Sequence, residues 1–329
     1  MIDGIGRNID YLRISVTDKC NLRCRYCMPE GGVCQIPHEE LLNLEELFRV
    51  IQIMERIGIK KVRFTGGEPL VRKNLIKLIG DVRGLGGIEQ ISMTTNGVLF
   101  GQQAEALKRA GLTSVNISLD TLDRERFWQI TGYDHFDRVM DAIKSAQKLD
   151  LRVKLNCVPC REFNEADILP LAALARDENL DVRFIELMPI GCGRAFQGIG
   201  SDEILQKLEE EYGAAVESHE KRGNGPAKYY DFRGFAGKIG FISPMSHSFC
   251  GGCNRIRLTA EGRLKLCLHY EHGIELKPLL RGGCSDDEIL EQIRRAIIQN
   301  PGTTNSERKR RIQKKERWYR SEVSCYGTY

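Results

Sequence analysis

The stretch IDYLRISVTDKCNLRCRYC, residues 9–27, joins a strand-like run to three closely spaced cysteines. Its first half is rich in apolar and β-branched residues, a composition typical of a buried strand. Cys20, Cys24 and Cys27 follow in a C-x3-C-x2-C array. Soft thiolate ligands suit zinc or an iron–sulfur cluster. The stretch therefore predicts a first strand that runs into a metal-binding loop.

Three thiols leave the coordination of such a metal incomplete. Zinc sites are usually closed by four ligands at a characteristic spacing, and no residue here has that spacing. Cys34, seven residues beyond Cys27, is nevertheless a candidate fourth ligand. If Cys34 does not bind, a [4Fe–4S] cluster keeps one iron without a protein ligand, and that iron can bind a substrate or a cofactor.

Apolar runs of the same kind recur five more times, separated by amphipathic helical patterns. The further strand-like runs cover residues 60–66, 88–95, 113–120, 151–158 and 181–188. The helical patterns cover residues 42–58, 75–86, 102–111, 136–149 and 165–179. Gly58 stands where the first helix is expected to end. This alternation predicts parallel βα units with right-handed crossovers.

Unusual polar clusters stand at the carboxyl ends of the predicted strands. They are the cysteine loop, GGEP (66–69), TTNG (94–97), SLD (118–120) and ELMP (186–189). Parallel α/β folds build their active sites at this end of the sheet. Because a complete barrel usually needs about 250 residues, six units leave an open doubly wound sheet or an incomplete barrel. The shared end favours an α/β fold with an incomplete (βα)6 TIM-type barrel.

The pattern changes after Met188. Glycine-rich sequence, two groups of short strand-like pieces and one helical pattern follow, at residues 191–200, 228–243, 254–268 and 285–298. The second group predicts a hairpin through AEGR. We therefore expect two domains, a barrel at residues 1–195 and a C-terminal extension of short strands and a helix at residues 196–329.

A second set of cysteines lies in this extension. Its members, in a C-x2-C-x13-C array, are Cys250, Cys253 and Cys267. If the intervening segment is a strand, Arg255 and Arg257 project to the same face, and two guanidinium groups beside a metal centre suit a phosphate or another anion. The alternatives are a zinc site completed by His269 and, for the arginines, a solvated hairpin face.

Composition and charge restrict the class of protein. The 329 residues include 41% hydrophobic and 29% charged residues, which is ordinary for a soluble globular protein, and no apolar run of membrane-spanning length. Without a secretory signal pattern, we expect a cytoplasmic protein whose 12 cysteines serve metal binding or catalysis. The net charge of +4 comes from the basic segment 307–320, so neither a membrane nor a nucleic acid is an expected partner.

Taken together, these motifs resemble a known family. C-x3-C-x2-C after a first strand, followed by GGEP, is typical of the radical S-adenosylmethionine (SAM) superfamily. Within it, FCGGCNRIRLTAEGRLKLCL (249–268) resembles the GTP 3′,8-cyclase family of molybdenum cofactor biosynthesis. The likeness extends to MTTNG, NISLDTL and ELMP. It implies a radical SAM lyase that converts GTP to 3′,8-cyclo-7,8-dihydroguanosine 5′-triphosphate, the first step of molybdopterin biosynthesis.

The resemblance also implies the site residues. It assigns one [4Fe–4S] cluster to each set of three cysteines, the first to Cys20, Cys24 and Cys27 and the second to Cys250, Cys253 and Cys267. The positions that match SAM contacts are Tyr26, Gly67, Ser118 and Met188. Those that match GTP contacts are Arg13, Arg63, Thr94, Lys154, Arg183, Arg255 and Arg257. Buried cations are costly unless they meet an anion, and pairs with Glu186 or Asp120 are the alternative to GTP.

The implied reaction is a radical cyclisation. A 5′-deoxyadenosyl radical from SAM removes hydrogen from C3′ of the ribose, and the C3′ radical attacks C8 of guanine before reduction. The implied partners are GTP, a flavodoxin- or ferredoxin-type electron donor and the downstream cyclic pyranopterin monophosphate synthase. The sequence leaves a homodimer open.

Two features fall outside this reading. Family members typically end in Gly-Gly, whereas this chain ends GTY, and we expect the difference to bear on catalytic efficiency more than on ligand binding. Six cysteines have no assigned role: Cys34, Cys157, Cys160, Cys192, Cys284 and Cys325. The rival classes are a radical SAM enzyme acting on a peptide or another nucleotide, and a non-catalytic metal-binding protein.

Overall fold

The computed structural model describes residues 1–29, 31–32, 36–220, 222–247, 250–267 and 273–300. Its strands are β1 (Tyr11–Ser15), β2 (Lys61–Thr65), β3 (Gln90–Thr95), β4 (Ser114–Ser118), β5 (Arg152–Cys157), β6 (Asp181–Ile185), β7 (Val216–Ser218), β8 (Lys228–Asp231), β9 (Ile239–Ile242), β10 (Arg255–Leu258), β11 (Arg263–Lys265) and β12 (Gly273–Glu275). Its α-helices are α1 (Leu44–Arg56), α2 (Leu75–Arg83), α3 (Phe100–Arg109), α4 (Arg124–Thr131), α5 (Phe136–Lys148), α6 (Ile168–Asp177), α7 (Ser201–Tyr212), α8 (Leu276–Arg281) and α9 (Asp286–Ile298).

These strands form one sheet, in the order β12-β11-β10-β1-β2-β3-β4-β5-β6-β9-β8-β7. Strands β1 to β6 are parallel, and β10 and β9 continue the parallel run on its two flanks. The pairs β11–β12 and β8–β7 add antiparallel edges. The α/β class, the six predicted strands and the β10–β11 hairpin are therefore confirmed. The sequence did not reveal α4, α7, α8, β7 or β12.

Local hydrogen bonds fix where helices begin and end. At the start of α1, Asn43 Oδ1 accepts from the Glu46 amide at 2.7 Å and Glu46 Oε2 accepts from the Asn43 amide at 2.8 Å. Ser285 and Glu288 form the same reciprocal cap on α9. Gly58 has a φ of 94°, which a residue with a side chain rarely adopts, so the predicted end of α1 is confirmed.

The two faces of the parallel sheet differ in polarity. One face is apolar and belongs to the main hydrophobic core; it carries Leu12, Ile14, Val62, Phe64, Ile91, Met93, Val115, Ile117, Val153, Leu155, Val182 and Phe184. On the other face Arg13 lies in register between Arg63 and Arg257, and Lys154 lies beside Asn116. Parallel sheets are usually apolar on both faces. A polar second face therefore indicates an interior that receives a polar ligand.

No helix in the part of the chain that the structure describes is long and apolar enough to cross a membrane.

Candidate active site

One cavity of about 390 Å³ lies against the polar face of the sheet. Every position that matches the family's GTP contacts lines it: Arg13, Arg63, Thr94, Lys154, Arg183, Arg255 and Arg257. Met188, Cys253 and Cys267 line it as well. Tyr26, Gly67 and Ser118 are not among its lining residues and lie at or beyond the carboxyl ends of β1, β2 and β4. The structure thus brings the cations together with Cys253 and Cys267, and the first cysteine loop lies beyond the carboxyl end of β1.

Arg13 on β1 is a buried cation with two donor atoms that have no acceptor among the described residues. Its Nε and Nη2 atoms are buried and have no hydrogen-bond partner among the described residues. Burial, and then the neighbouring Arg257, lower its pKa well below the ordinary value; Arg63 and Arg255 act in the same direction and Tyr11 opposes them. A buried guanidinium without an acceptor is costly. An anion in the cavity would supply the missing acceptor.

Arg63 and Arg183 are held by neutral groups. Arg63 Nη1 donates to Thr94 Oγ1 at 3.2 Å and its Nε donates to the Tyr11 hydroxyl. Arg183 donates to Asn156 Oδ1 through Nε at 2.9 Å and through Nη2 at 2.5 Å. Neutral acceptors orient a guanidinium but do not compensate its charge, so both side chains are prepared for an anion.

Lys154 on β5 contacts a hydroxyl, a backbone carbonyl and a carboxylate. Its Nζ donates to the Tyr229 hydroxyl at 2.8 Å and to the Arg222 carbonyl, and lies 3.6 Å from Asp181 Oδ2. Burial, and then Arg183, lower the pKa of Lys154 to about 7, while Asp181 opposes the shift. Its charge therefore changes near neutral pH.

The second cysteine set adjoins the arginine pair of β10. Arg255 and Arg257 both line the cavity, so their predicted projection to one face is confirmed. Burial and then Arg255 lower the pKa of Arg257 to about 10, and the neighbouring Cys253 and Cys267 act in the opposite direction. Two cations and two thiols therefore share one end of the cavity.

The first cysteine loop is anchored to several elements. The amides of Cys27 and Met28 donate to the Cys24 carbonyl at 2.9 and 2.8 Å, which closes a turn. The Arg25 amide donates to the Ile130 carbonyl in α4 at 3.0 Å. Burial raises the pKa of the Cys24 thiol well above its ordinary value, with Cys27 adding to the effect. The loop thus gathers three cysteines in a partly buried site.

The donor set is made of thiols, and soft thiolates are the usual ligands of an iron–sulfur cluster, so the residues present fit such a cluster. Among the described residues, no group of three His, Cys, Asp or Glu side chains forms a ready-made site for a single metal ion. The candidate fourth ligands Cys34 and His269, and the Cys250 side chain, lie outside the described residues.

GGEP packs on the segment that leads into this loop. The Gly67 amide donates to the Thr17 carbonyl at 2.9 Å, and the Glu68 amide donates to the Lys19 carbonyl at 2.8 Å. A Cβ atom on Gly67 would lie 2.3 Å from the Lys19 carbonyl oxygen. Close packing against the backbone of Lys19 therefore requires glycine at position 67, independently of any ligand that binds there.

Two buried carboxylates in the polar motifs position the same loop, a role that the sequence did not predict for them. Asp120, in SLD, accepts from the Tyr26 hydroxyl at 2.7 Å and from the Val158 amide at 2.8 Å. Glu68 accepts from the Asn96 amide at 2.7 Å, and the Asn96 side-chain amide reaches Cys20 Sγ at 3.8 Å. Burial raises the pKa of Glu68 to about 7.

The sequence left open that the strand cations pair with carboxylates of the protein and not with GTP, and one such ion pair is present. Lys154 lies within ion-pair distance of Asp181. The hydrogen bonds of Asp120 and Glu186 in the described part of the chain come from neutral donors. The alternative, pairing of the strand cations with these two carboxylates, is therefore not found there.

Comparison with known proteins agrees with this geometry. The family model of the radical SAM superfamily matches residues 14–175, and that of Molybdenum Cofactor Synthesis C matches residues 180–306. A GTP 3′,8-cyclase of Clostridium perfringens (strain 13 / Type A) is 46% identical over 97% of this chain and 99% of the relative. That of Desulforamulus reducens is 48% identical over 93% of this chain and 96% of the relative. The chain belongs to the GTP 3′,8-cyclase family.

Membership of this family identifies a radical SAM enzyme of molybdenum cofactor biosynthesis, with SAM and [4Fe–4S] clusters as cofactors. Solved structures show the same fold. Streptococcus suis SuiB bound to S-adenosylmethionine has a TM-score of 0.56 and 15% identity, over 87% of this chain and 66% of SuiB. Native anSMEcpe with AdoMet and a peptide has a TM-score of 0.54 and 18% identity, over 96% of this chain and 88% of that chain.

The remaining cysteines acquire no role. Cys157 and Cys160 are buried free thiols, and Cys192 and Cys284 are partly buried free thiols. Cys325 and the altered C-terminus lie outside the described residues.

Proposed function

We propose that this cyclase-family chain converts GTP to 3′,8-cyclo-7,8-dihydroguanosine 5′-triphosphate. The observation that carries the proposal is the polar cavity: seven of its lining residues are cations on parallel strands, and Arg13 has two buried donor atoms without acceptors among the described residues. A triphosphate carries several negative charges and many acceptor oxygens, so it would compensate this cluster. The curated relatives with the name GTP 3′,8-cyclase support the same substrate.

The residues present suit each cofactor. Cys20, Cys24 and Cys27 would hold the first cluster, and Cys250, Cys253 and Cys267 the second. Tyr26, Gly67, Ser118 and Met188 would contact SAM. When bound, SAM and the first cluster supply a 5′-deoxyadenosyl radical. The protein contributes the rest of the chemistry by holding the nucleotide in one orientation and excluding water from the reacting atoms.

Within this site the cations have separate tasks. Arg255 and Arg257 lie beside Cys253 and Cys267, so they would hold the end of the nucleotide at the second cysteine set. Lys154 and Arg183 lie on β5 and β6, on the far side of the cavity, together with Tyr229. Since all these side chains come from rigid strands, their positions are set before the nucleotide binds, which lowers the entropy lost on binding.

The wider organisation is proposed on the same basis. We infer an incomplete (βα)6 barrel at residues 1–195, because strands β1 to β6 all contribute to one cavity. We infer an auxiliary-cluster region at residues 196–329, which adds β10, Cys253 and Cys267 to that cavity. A cytoplasmic location, a flavodoxin- or ferredoxin-type donor and cyclic pyranopterin monophosphate synthase as the next enzyme follow from this function.

The proposal is tested by anaerobic reconstitution of the purified chain with iron and sulfide, followed by SAM and a reductant with and without GTP. We expect 5′-deoxyadenosine formation that rises with GTP and is lost in Cys24→Ala, together with the cyclised nucleotide. SAM cleavage that does not respond to GTP would refute the substrate and favour a peptide or another nucleotide.

Binding provides a second test. In the reconstituted protein, Arg13→Ala removes charge-assisted hydrogen bonds to the ligand, so GTP should bind about 10- to 100-fold more weakly. Arg124→Ala is the matched control, since Arg124 is an exposed arginine that pairs with Asp134 and Asp137 away from the cavity. Equal GTP affinity in both variants would remove Arg13 from the binding site.

A further inference from the structure

Glu186 is a buried carboxylate that the proposed reaction does not use. It belongs to ELMP, two residues before the cavity-lining Met188, and is 5% exposed. No lysine, arginine or histidine in the described part of the chain pairs with it; all of its hydrogen-bond donors are backbone amides and serine hydroxyls. A buried anion is costly unless hydrogen bonds compensate it, so this arrangement requires a structural explanation.

The donors to Glu186 converge from two segments. Oε2 accepts from the Met245 amide at 2.9 Å and the Ser246 amide at 3.0 Å, and Oε1 accepts from the Ser246 hydroxyl. Oε1 also accepts from the Ser201 amide at 3.3 Å and hydroxyl at 3.2 Å, at the start of α7. The Ser201 and Ser243 hydroxyls are 2.5 Å apart, which joins the two segments directly.

One of these segments leads directly into the second cysteine set. Residues 243–247 follow β9 and precede Cys250, the first thiol of that set, by three residues. A backbone hydrogen bond also joins Glu186 to the end of β9, since the Glu186 amide donates to the Ile242 carbonyl at 3.0 Å. Glu186 therefore connects the carboxyl end of β6 to the segment that precedes the second cysteine set in the sequence.

We propose that Glu186 is a positioning residue for the second cysteine loop, which fixes segment 243–247 and thereby the place of the second cluster relative to the nucleotide. The proposal rests on the function proposed above, in which Cys250, Cys253 and Cys267 hold a cluster. Charge-assisted bonds to backbone amides are stronger than neutral ones, so a carboxylate holds the segment better than an amide would. Glutamine has a single acceptor oxygen, and its NH2 group would face N–H or O–H donors.

The test uses Glu186→Gln in a Cys20→Ala, Cys24→Ala, Cys27→Ala background, in which only the second cluster can assemble. After reconstitution, we expect iron per chain to fall by about half or more relative to that background. After one-electron reduction with dithionite, the EPR spectrum of the remaining cluster should lose its response to added GTP. Ser246→Ala, which removes one donor, should act in the same direction with a smaller effect.

Asp167→Asn is the matched control. Asp167 is also a buried carboxylate that accepts from a hydroxyl and an amide, those of Thr121 and Leu122 at 2.8 and 3.3 Å. Unlike Glu186 it also pairs with an arginine, Arg126 in α4, and its partners are remote from the second cysteine set. The Asp167→Asn variant should have a lower melting temperature but an unchanged iron content and EPR response. Hydrogen exchange of the Met245 and Ser246 amides should accelerate in Glu186→Gln and not in Asp167→Asn.

The outcomes separate the two proposals. If the background protein itself holds no iron, the assignment of the second cluster fails. If it holds iron and Glu186→Gln leaves the iron, the EPR response and the amide exchange unchanged, the positioning role fails while the cluster assignment stands. If Asp167→Asn causes the same losses as Glu186→Gln, the effect reflects general destabilisation, and the specific role of Glu186 is refuted.

Discussion

Lys154 should make GTP binding depend on pH. The pKa of its ammonium group is lowered to about 7, chiefly by burial and then by Arg183. The charged and titratable groups around it are Arg152 on its own strand, Arg63 on β2, Asp181 and Arg183 on β6, Tyr229 on β8, and Arg222 in the segment before β8. A triphosphate beside the ammonium would favour its charged form, so binding above pH 7 must take up a proton.

The size of the effect follows from the pKa. With a pKa of about 7, half of the free protein carries the proton at pH 7 and about one-tenth at pH 8. If the bound state stays protonated, the Kd for GTP rises about fivefold between pH 7 and pH 8, and approaches a tenfold rise per unit above that. Affinity should therefore decrease with pH, and the decrease should level off below pH 7.

Isothermal titration calorimetry of the reconstituted protein, in buffers of different ionisation enthalpy, measures both the Kd and the proton uptake. Lys154→Arg keeps its charge throughout the range, so its Kd should be independent of pH between 7 and 8.5. Lys154→Met should bind more weakly at pH 7 and should also show no pH dependence. A wild-type Kd that is constant from pH 7 to 8.5, or an equal slope in all three proteins, would refute the reasoning.

Three further predictions concern stability and the cofactor loop. Arg13→Leu should raise the free energy of unfolding of the ligand-free protein by about 1–3 kcal/mol in denaturant titrations, because it removes a buried cation with two donor atoms unpaired in the described part of the chain. GTP affinity should fall in the same variant, and a lower free energy of unfolding would contradict the prediction. Gly67→Ala should lower the free energy of unfolding by about 3 kcal/mol or more, because the added Cβ meets backbone atoms. Gly80→Ala in α2, where nothing lies within 4 Å of the added Cβ, should raise it by about 1 kcal/mol. Equal effects of the two substitutions would show that the backbone near Gly67 moves to admit the Cβ at no cost. Asp120→Ala leaves the Tyr26 hydroxyl without its acceptor, so SAM should bind at least about fivefold more weakly by equilibrium dialysis, and unchanged affinity would exclude Asp120 from positioning the loop.

Much of the architecture was predictable because polar and apolar residues alternate along the strands as they do between the two faces of the sheet. Each predicted parallel strand contains residues that alternate between core and cavity, such as Leu12 and Ile14 on one side of β1 and Arg13 on the other. Helix α4 was missed because only Phe127, Ile130 and Thr131 are buried, too few for a periodic pattern to stand out. The edge strands β7 and β12 have three residues each, which is too short for any alternation.

The site was predictable where chemistry is encoded by residue type and spacing, as for the cysteines and the strand cations. It was not predictable where function depends on contacts between distant segments. Tyr229 lies 75 residues from Lys154 in sequence and yet accepts from its ammonium, and Glu186 lies 60 residues from Ser246. The motifs SLD and ELMP marked the right strand ends, but only the fold shows which donors their carboxylates receive.

The order of strands has a consequence for synthesis of the chain. Strands β9 and β10 flank the six central strands of the sheet, and both come from the last third of the chain. Until they leave the ribosome, β1 and β6 have unpaired edges, and such edges are templates for pairing with other chains. About 70 residues separate β6 from β10, and at about 5–20 residues per second their synthesis takes about 4–14 s. The risk of aggregation of the nascent chain is therefore governed by the rate of translation through this segment, and a stabilising substitution in the finished core would not shorten that interval.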